Sequence, residues 1–338
     1  MLITNVLWGG GCVKLNHLIY VVLSCVWFCV STSCHSHDDE PDIPMTGEAP
    51  VEVALDLDTA MIAFDDMDVD SRAGSAAELR CQVRAYALNA QDALVGAPVG
   101  QATVYFTTAG QRGDCRMTLP SGRYCLLAWA DYVDAGSQAD KFYDTADLTD
   151  ITLRLPYVGN THLRNAYSGM AQVDFSVPEG DSTTVVNAPL ALRSVMGKVM
   201  FVATDYAEFV AGTPQPLRVL VSYTGFLPSR YSVLRGVPFD SSTGIQFLTE
   251  MATPATSGAT QVTLASDYVM VNGEQASVTA ALGLYADDGH LVATSGSLNI
   301  PIRRGGVTRV MGRFLTRTQS GGGIGIDPDF AGDITIVI

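Results

Sequence analysis

No stretch of twelve or more residues in the second half of this chain has the apolar spacing of an amphipathic helix; short strand-like segments follow one another there instead. They are LRVLVSY (217–223), GIQFLTE (244–250), TQVTLAS (260–266), ASVTAALGLYA (276–286), HLVATSGSLNIPI (290–302) and VTRVMGRFLT (307–316). Branched and aromatic side chains fit a pleated, half-buried surface. The Gly and Pro residues between the segments keep each strand short. The pattern predicts an all-β fold built from β-sandwiches.

The first half has the same character. In PVEVALDL (50–57), Val51, Val53, Leu55 and Leu57 share one face, the period of a half-buried strand. QATVYFTT (101–108), AQVDFSV (171–177), VVNAPLALR (185–193) and GKVMFVAT (197–204) continue it. CRMTLPSGRYCLLAWADY (115–132) is strand, turn, strand, with Pro120, Ser121 and Gly122 as turn residues. SAAELRCQVRAYAL (75–88) fits a capped helix or a strand, and its β neighbours favour the strand. Residues 133–170 are irregular and polar, as in a long loop or a short helix. Folded length and strand density divide the body into two domains, 50–190 and 191–338.

Residues 18–30, LIYVVLSCVWFCV, are uncharged and too few to span a bilayer, which takes about 20 residues. They match the apolar region of a signal peptide, with Lys14 on its N-terminal side. Ser31, Thr32 and Ser33 lead into Cys34, an arrangement like a bacterial lipobox, which assigns residues 1–33 to a signal peptide and Cys34 to lipidation. Residues 34–49 then form an acidic linker. His35, His37, Asp38, Asp39 and Glu40 have metal-ligand chemistry, but no apolar neighbour anchors the second shell such a site needs. A solvated linker is the preferred reading, and no metal or cofactor is expected.

The net charge of −15, with Lys141 and Lys198 the only lysines after residue 33, excludes a phosphate backbone as a partner. Cys81, Cys115 and Cys125 contain no CxxC spacing and read as small strand residues. His162 and His290 are the only histidines beyond the linker, and no GxSxG elbow accompanies them, so no enzyme is expected. SGGGIG (320–325) lacks the lysine of a phosphate loop. Asp66, Asp68 and Asp70 start like an EF-hand loop, which then fails at Ser71 and Ala77. Trp129 and Tyr132, with Asp131 between them, are the candidate contacts for a glycan.

The chain closes on IGIDPDFAGDITIVI, in which Ile334, Ile336 and Ile338 share one face. Such a strand must be inserted somewhere. It completes its own sheet or is donated to a neighbour's.

Six segments together resemble the fimbrillin-like lipoproteins of Bacteroidetes type V pili, especially their anchor and accessory subunits. They are PSGRYCLLAWADYV (120–133), FYDTADLTDI with THLRNAYSG (142–169), LALRSVMGKVMFVATD (190–205), VSYTGFLPSRYSVLRGVP (221–238), IPIRRGGVTRVMGRFLT (300–316) and GIGIDPDFAGDITIVI (323–338). The resemblance implies two tandem transthyretin-like, Greek-key sandwiches and a lipid anchor on the exposed face of the outer membrane. It implies other fimbrial subunits as partners. It also implies cleavage after Arg72, which would release the first strand and let a neighbour's strand take its place. The expected function is a fimbrial or adhesin-type surface subunit, and the alternative is a stand-alone surface lipoprotein that binds glycans.

Overall fold

The computed structural model describes residues 45–58, 77–106, 112–212, 215–254, 256–316, 325–326 and 334–338. In chain order the first strands are β1 (Glu48–Leu57), β2 (Ala77–Leu88), β3 (Leu94–Phe106), β4 (Gly113–Pro120) and β5 (Gly122–Asp134). Then come β6 (Tyr143–Asp144), β7 (Ile151–Leu153), a 3-10 turn at His162–Arg164, β8 (Ala166–Phe175), β9 (Val186–Ser194) and β10 (Met196–Ala203). A short helix, α1 (Tyr206–Ala211), precedes β11 (Leu217–Tyr223), β12 (Leu227–Ser232), β13 (Val237–Ser242) and β14 (Gln246–Glu250). The chain ends with β15 (Val262–Met270), β16 (Gln275–Ala286), β17 (Leu291–Arg303), β18 (Val307–Gly312), β19 (Gly325–Ile326) and β20 (Ile334–Val337). The fold is all-β.

The first sheet runs β3-β2-β5-β8-β9-β1-β4. Its two parts, β3-β2-β5-β8 and β9-β1-β4, are joined only where Tyr167 and Ser168 pair with Ser194 and Arg193. A core of Val51, Val53, Leu55, Val83, Leu126 and Leu190 fills the space between their facing surfaces. The alternation in β1 produces this directly: its odd-numbered residues from Val51 to Leu57 are buried and its even-numbered ones from Glu52 to Asp56 are exposed.

Strand β5 is buried on both faces. Leu126 and Ala128 belong to the first core, whereas Cys125, Leu127 and Trp129 belong to a second. That second core lies on the sheets β15-β10-β18-β20-β19 and β14-β11-β16-β17, through residues such as Phe201, Val219, Leu264 and Ile300. A fourth sheet, β13-β12-β7-β6, draws strands from both sides of residue 190. The first sheet ends at Ser194 and β10 opens at Met196.

The strands of the first half and the six named segments of the second fall where the alternation places them. Residues 133–170 do not form one long loop: β6, β7 and the start of β8 lie there, spaced by turns in which Asp144 and Asp147 accept bonds from the backbone N–H groups of Ala146 and Thr149. Such side-chain turns explain the polar, aperiodic composition of the stretch. Helix α1, six residues long, is too short to show a helical period, and the pairing of the hairpin β12–β13 shifts register at Pro228/Arg230 and Arg230/Tyr231, which breaks the alternation.

Candidate functional site: the first strand, the last strand and the buried charges

β1 is the N-terminal strand of the described chain, yet it occupies the interior of its sheet. It runs antiparallel to β4, with Val53 opposite Cys115, and parallel to β9, with Val53 opposite Ala188. Backbone bonds pin its two ends. The Gly47 N–H donates to Val177 at 2.9 Å, Gly47 accepts from the Ser121 N–H at 2.8 Å, and the Asp58 N–H donates to Leu192 at 2.9 Å. Gly47 has to be glycine here, since a Cβ would lie 2.1 Å from the Pro178 carbonyl oxygen. Cys34 and Arg72 lie outside the described residues.

β20 runs parallel to β18, with Ile336 opposite Val310, and antiparallel to β19. Ile336 is 1% exposed and Val337 is 65% exposed, so the terminal strand has an inward and an outward face. Ile338 is partly buried against the second core, and its N–H donates to Met311 at 2.9 Å. Ile334 is placed by its backbone register opposite Thr308. Just upstream, the buried Asp205 carboxylate accepts bonds from the backbone N–H groups of Leu315 and Thr316 and from the Thr316 hydroxyl, fixing where the chain leaves β18.

The residues expected to contact a glycan are placed otherwise. Trp129 is 0% exposed and packs against Tyr143 and Tyr231, with ring centroids 5.5 Å away in each case. Asp131 is 0% exposed and is chelated by Arg80, whose Nη2 lies 2.9 Å from Oδ1 and 3.1 Å from Oδ2. Tyr132 is half-buried, edge-on to His162. A stacked sugar needs an open ring face, which Trp129 does not offer, and the acid beside it is already paired. Trp129 and Asp131 are part of the core, and Tyr132 packs half-buried at its margin.

Two buried ionic clusters were not anticipated. In one, Arg80 bridges Asp131 and Asp140, the latter at 2.8 Å, and also donates to the Gln138 carbonyl at 2.8 Å. Burial raises the Asp131 carboxyl above the ordinary range, against the pull of Arg80. In the other, Asp267 accepts hydrogen bonds from the hydroxyls of Tyr157 and Tyr223, each at 2.6 Å, and its second oxygen lies 3.5 Å from Arg164 Nε. The Arg164 guanidinium sits 3.9 Å from the Tyr157 ring centroid, and the Tyr143 hydroxyl donates to the Arg164 carbonyl. The sequence signal for both clusters is a solitary charge inside an apolar strand, Asp131 in LLAWADYV and Asp267 in LASDYVM; Arg80, in ELRCQV, has Glu78 two positions before it.

Burial pushes the Asp267 carboxyl up to about 6, against the pull of Arg164 and the two phenolic donors. A raised carboxyl is protonated more readily in the folded chain than in the unfolded one. Its contribution to stability is therefore full below the unfolded value, near 4, and is lost as pH rises through about 6. The melting temperature of the native chain is expected to fall over that interval more steeply than that of Asp267→Asn, whose amide can still accept from both tyrosines. Parallel pH profiles of the two would disprove the assignment.

Cys81, Cys115 and Cys125 are free thiols, and burial raises all three, Cys115 and Cys125 to about 11. Among the described residues no group of three or more His, Cys, Asp or Glu could hold a metal ion, and no helix is long and apolar enough to cross a membrane.

These features define an all-β protein of packed sheets with interior polar locks. Residues 44–338 match the model of the family of unknown function DUF6562, and the chain belongs to that family. The fold is similar to a candidate adhesin of Bacteroides ovatus at 13% identity and a TM-score of 0.41, covering 73% of this chain and 76% of that one. It is also similar to the tip fimbrial protein Mfa3 of Porphyromonas gingivalis, at 11% identity, a TM-score of 0.38, and 75% and 81% of the two chains. The fimbrial anchor protein Mfa2 of the same organism gives 11% identity, a TM-score of 0.33, and 73% and 82%. Among curated proteins nothing matches.

Proposed function

We propose that this chain is a cell-surface lipoprotein, tethered through Cys34 to the outer membrane, that serves as a fimbrial or adhesin-type subunit and joins its neighbours by β-strand addition. The observation that carries the reading is the seat of β1. An N-terminal strand held between β4 and β9 leaves, if released, a slot bordered by two unpaired backbones and lined with apolar pockets. Cleavage after Arg72 separates β1, and with it the Cys34 tether, from β2 and permits that release, so the tether belongs to the uncut precursor. The segment from Ile334 to Ile338 has the same alternation as β1 and is the candidate donor to the next subunit, its backbone bonds giving affinity and its isoleucines giving register. Other fimbrial subunits are the partners.

The test is an unboiled denaturing gel of the surface fraction, probed with an antibody to residues 191–338. A ladder that collapses on boiling is expected, and Arg72→Ala is expected to abolish it. A single monomer band without boiling would overturn the polymer-forming role.

A further inference from the structure

The first sheet has a polar face at its β2–β3 edge. Residues of β2 and β3 that point away from the first core meet as cross-strand pairs: Arg80 with Tyr105, Gln82 with Thr103, and Arg84 with Gln101. On β5 the same face is apolar apart from Asp131 and is covered by the second core. On β2 and β3, at the edge of the sheet, it is polar and lies open as a groove of about 550 Å³. The segment 138–146 forms one wall, and Arg154 stands at the rim. A second hollow of about 520 Å³ shares Arg84, Gln101 and Ala146 with the first and carries the groove on past Pro98 to Asp147. Each hollow is within the size of ligand clefts, about 300–1,000 Å³.

The donors in this groove are held ready. Arg84 donates to the carbonyls of Ala146 at 2.6 Å and Thr145 at 2.8 Å, and to the Gln82 side chain at 3.0 Å. Gln82 in turn donates to the Thr145 hydroxyl at 2.6 Å. All of these acceptors are neutral, so they fix the guanidinium without cancelling its charge. Arg80, in contrast, already faces two carboxylates, Asp131 and Asp140. Among the described residues no carboxylate lies within ion-pair distance of Arg84 or Arg154. In a chain of net charge −15, two uncompensated arginines beside a polar groove mark a place where an anion is favoured. The rest of the floor and wall supplies amides and hydroxyls, from Gln101, Thr103, Gln138 and Tyr105, together with the Asp140 carboxylate that Arg80 holds and, in the second hollow, Asp147. That lining suits a ligand dense in hydroxyl groups better than a lipid or an apolar peptide.

We propose that this groove binds an acidic oligosaccharide, with Arg84 and Arg154 taking the sugar carboxylate and the amides and hydroxyls of β2 and β3 taking the ring hydroxyls. The site is separate from the strand-exchange elements, so its test does not depend on polymer formation.

The full chain would be titrated calorimetrically with trigalacturonate and with sialyllactose, which distinguish a uronate from a sialate source. Methyl-esterified trigalacturonate and lactose serve as the uncharged counterparts, and hexaglutamate as an acidic peptide. At least one acidic sugar is expected to bind at least tenfold more tightly than its uncharged counterpart and than hexaglutamate. Arg154→Gln, at an exposed position, is expected to weaken that binding at least fivefold, and Arg84→Gln at least tenfold, with thermal unfolding checking that each variant folds. Gln101→Ala, also exposed, should weaken acidic and uncharged sugars alike. No binding of either acidic sugar, equal binding of the uncharged forms or of hexaglutamate, or unchanged affinity in Arg154→Gln would each overturn the proposal.

Discussion

Replacing Asp267 by Ala is expected to destabilise the protein by about 3–5 kcal/mol, the usual cost of removing one partner from a buried charge pair. The size follows from what is left behind. Arg164 is 2% exposed and loses its nearest carboxylate, while the buried hydroxyls of Tyr157 and Tyr223 lose their acceptor. The four groups come from the loop after β7, the 3-10 turn, the end of β11 and the middle of β15. The substitution therefore loosens elements on both sides of Ser194 together. Urea unfolding followed by Trp129 fluorescence is expected to shift its midpoint without splitting into two transitions. Adding Arg164→Met to Asp267→Ala should recover part of the loss, because the stranded charge is then removed too. A loss below about 1 kcal/mol in the single variant, the range of an exposed ion pair, would refute the buried-lock description.

Trp129→Ala is expected to cost about 3–5 kcal/mol, the range for an aromatic deleted from a packed core. The indole fills the space between Tyr143 and Tyr231 on the second-core face of β5, and those neighbours belong to different strands that cannot collapse into the hole together. An indole on a surface binding platform would cost at most about 0.5 kcal/mol when truncated. The denaturant midpoint thus decides between the two positions, and binding of any sugar at the β2–β3 groove should survive the substitution in the folded fraction.

The case of Trp129 shows what the sequence could convey and what it could not. Alternation placed β1, β11, β16 and β17 because each has one wet face and one dry face, and period two records that directly. In β5 the run YCLLAWA is apolar throughout. A strand buried on both sides has no period to mark which face meets which core, and a tryptophan there looks the same as one on a binding surface. The charges carried more information than the aromatics. A lone Asp or Arg within an apolar strand demands a partner, but the partners here lie 51 and 103 positions away, Arg80 with Asp131 and Arg164 with Asp267, and only the fold brings them together. The β2–β3 groove was hidden for a related reason: Arg80, Gln82 and Arg84 register in the sequence as the wet face of a strand, and only the wall at 138–146 turns that face into a cleft.

The place of β1 has a consequence in time as well as in space. Its parallel partner begins 135 positions downstream, where Val186 meets Val51. Synthesis delivers β1 ahead of every other described strand, yet its slot cannot close until β9 exists. Contacts of such long range form slowly. Until then Val51, Val53, Leu55 and Leu57 remain an unsheltered apolar strand, open to association with whatever chain is nearby. The nascent chain is thus expected to need protection until residues near 192 are free to fold.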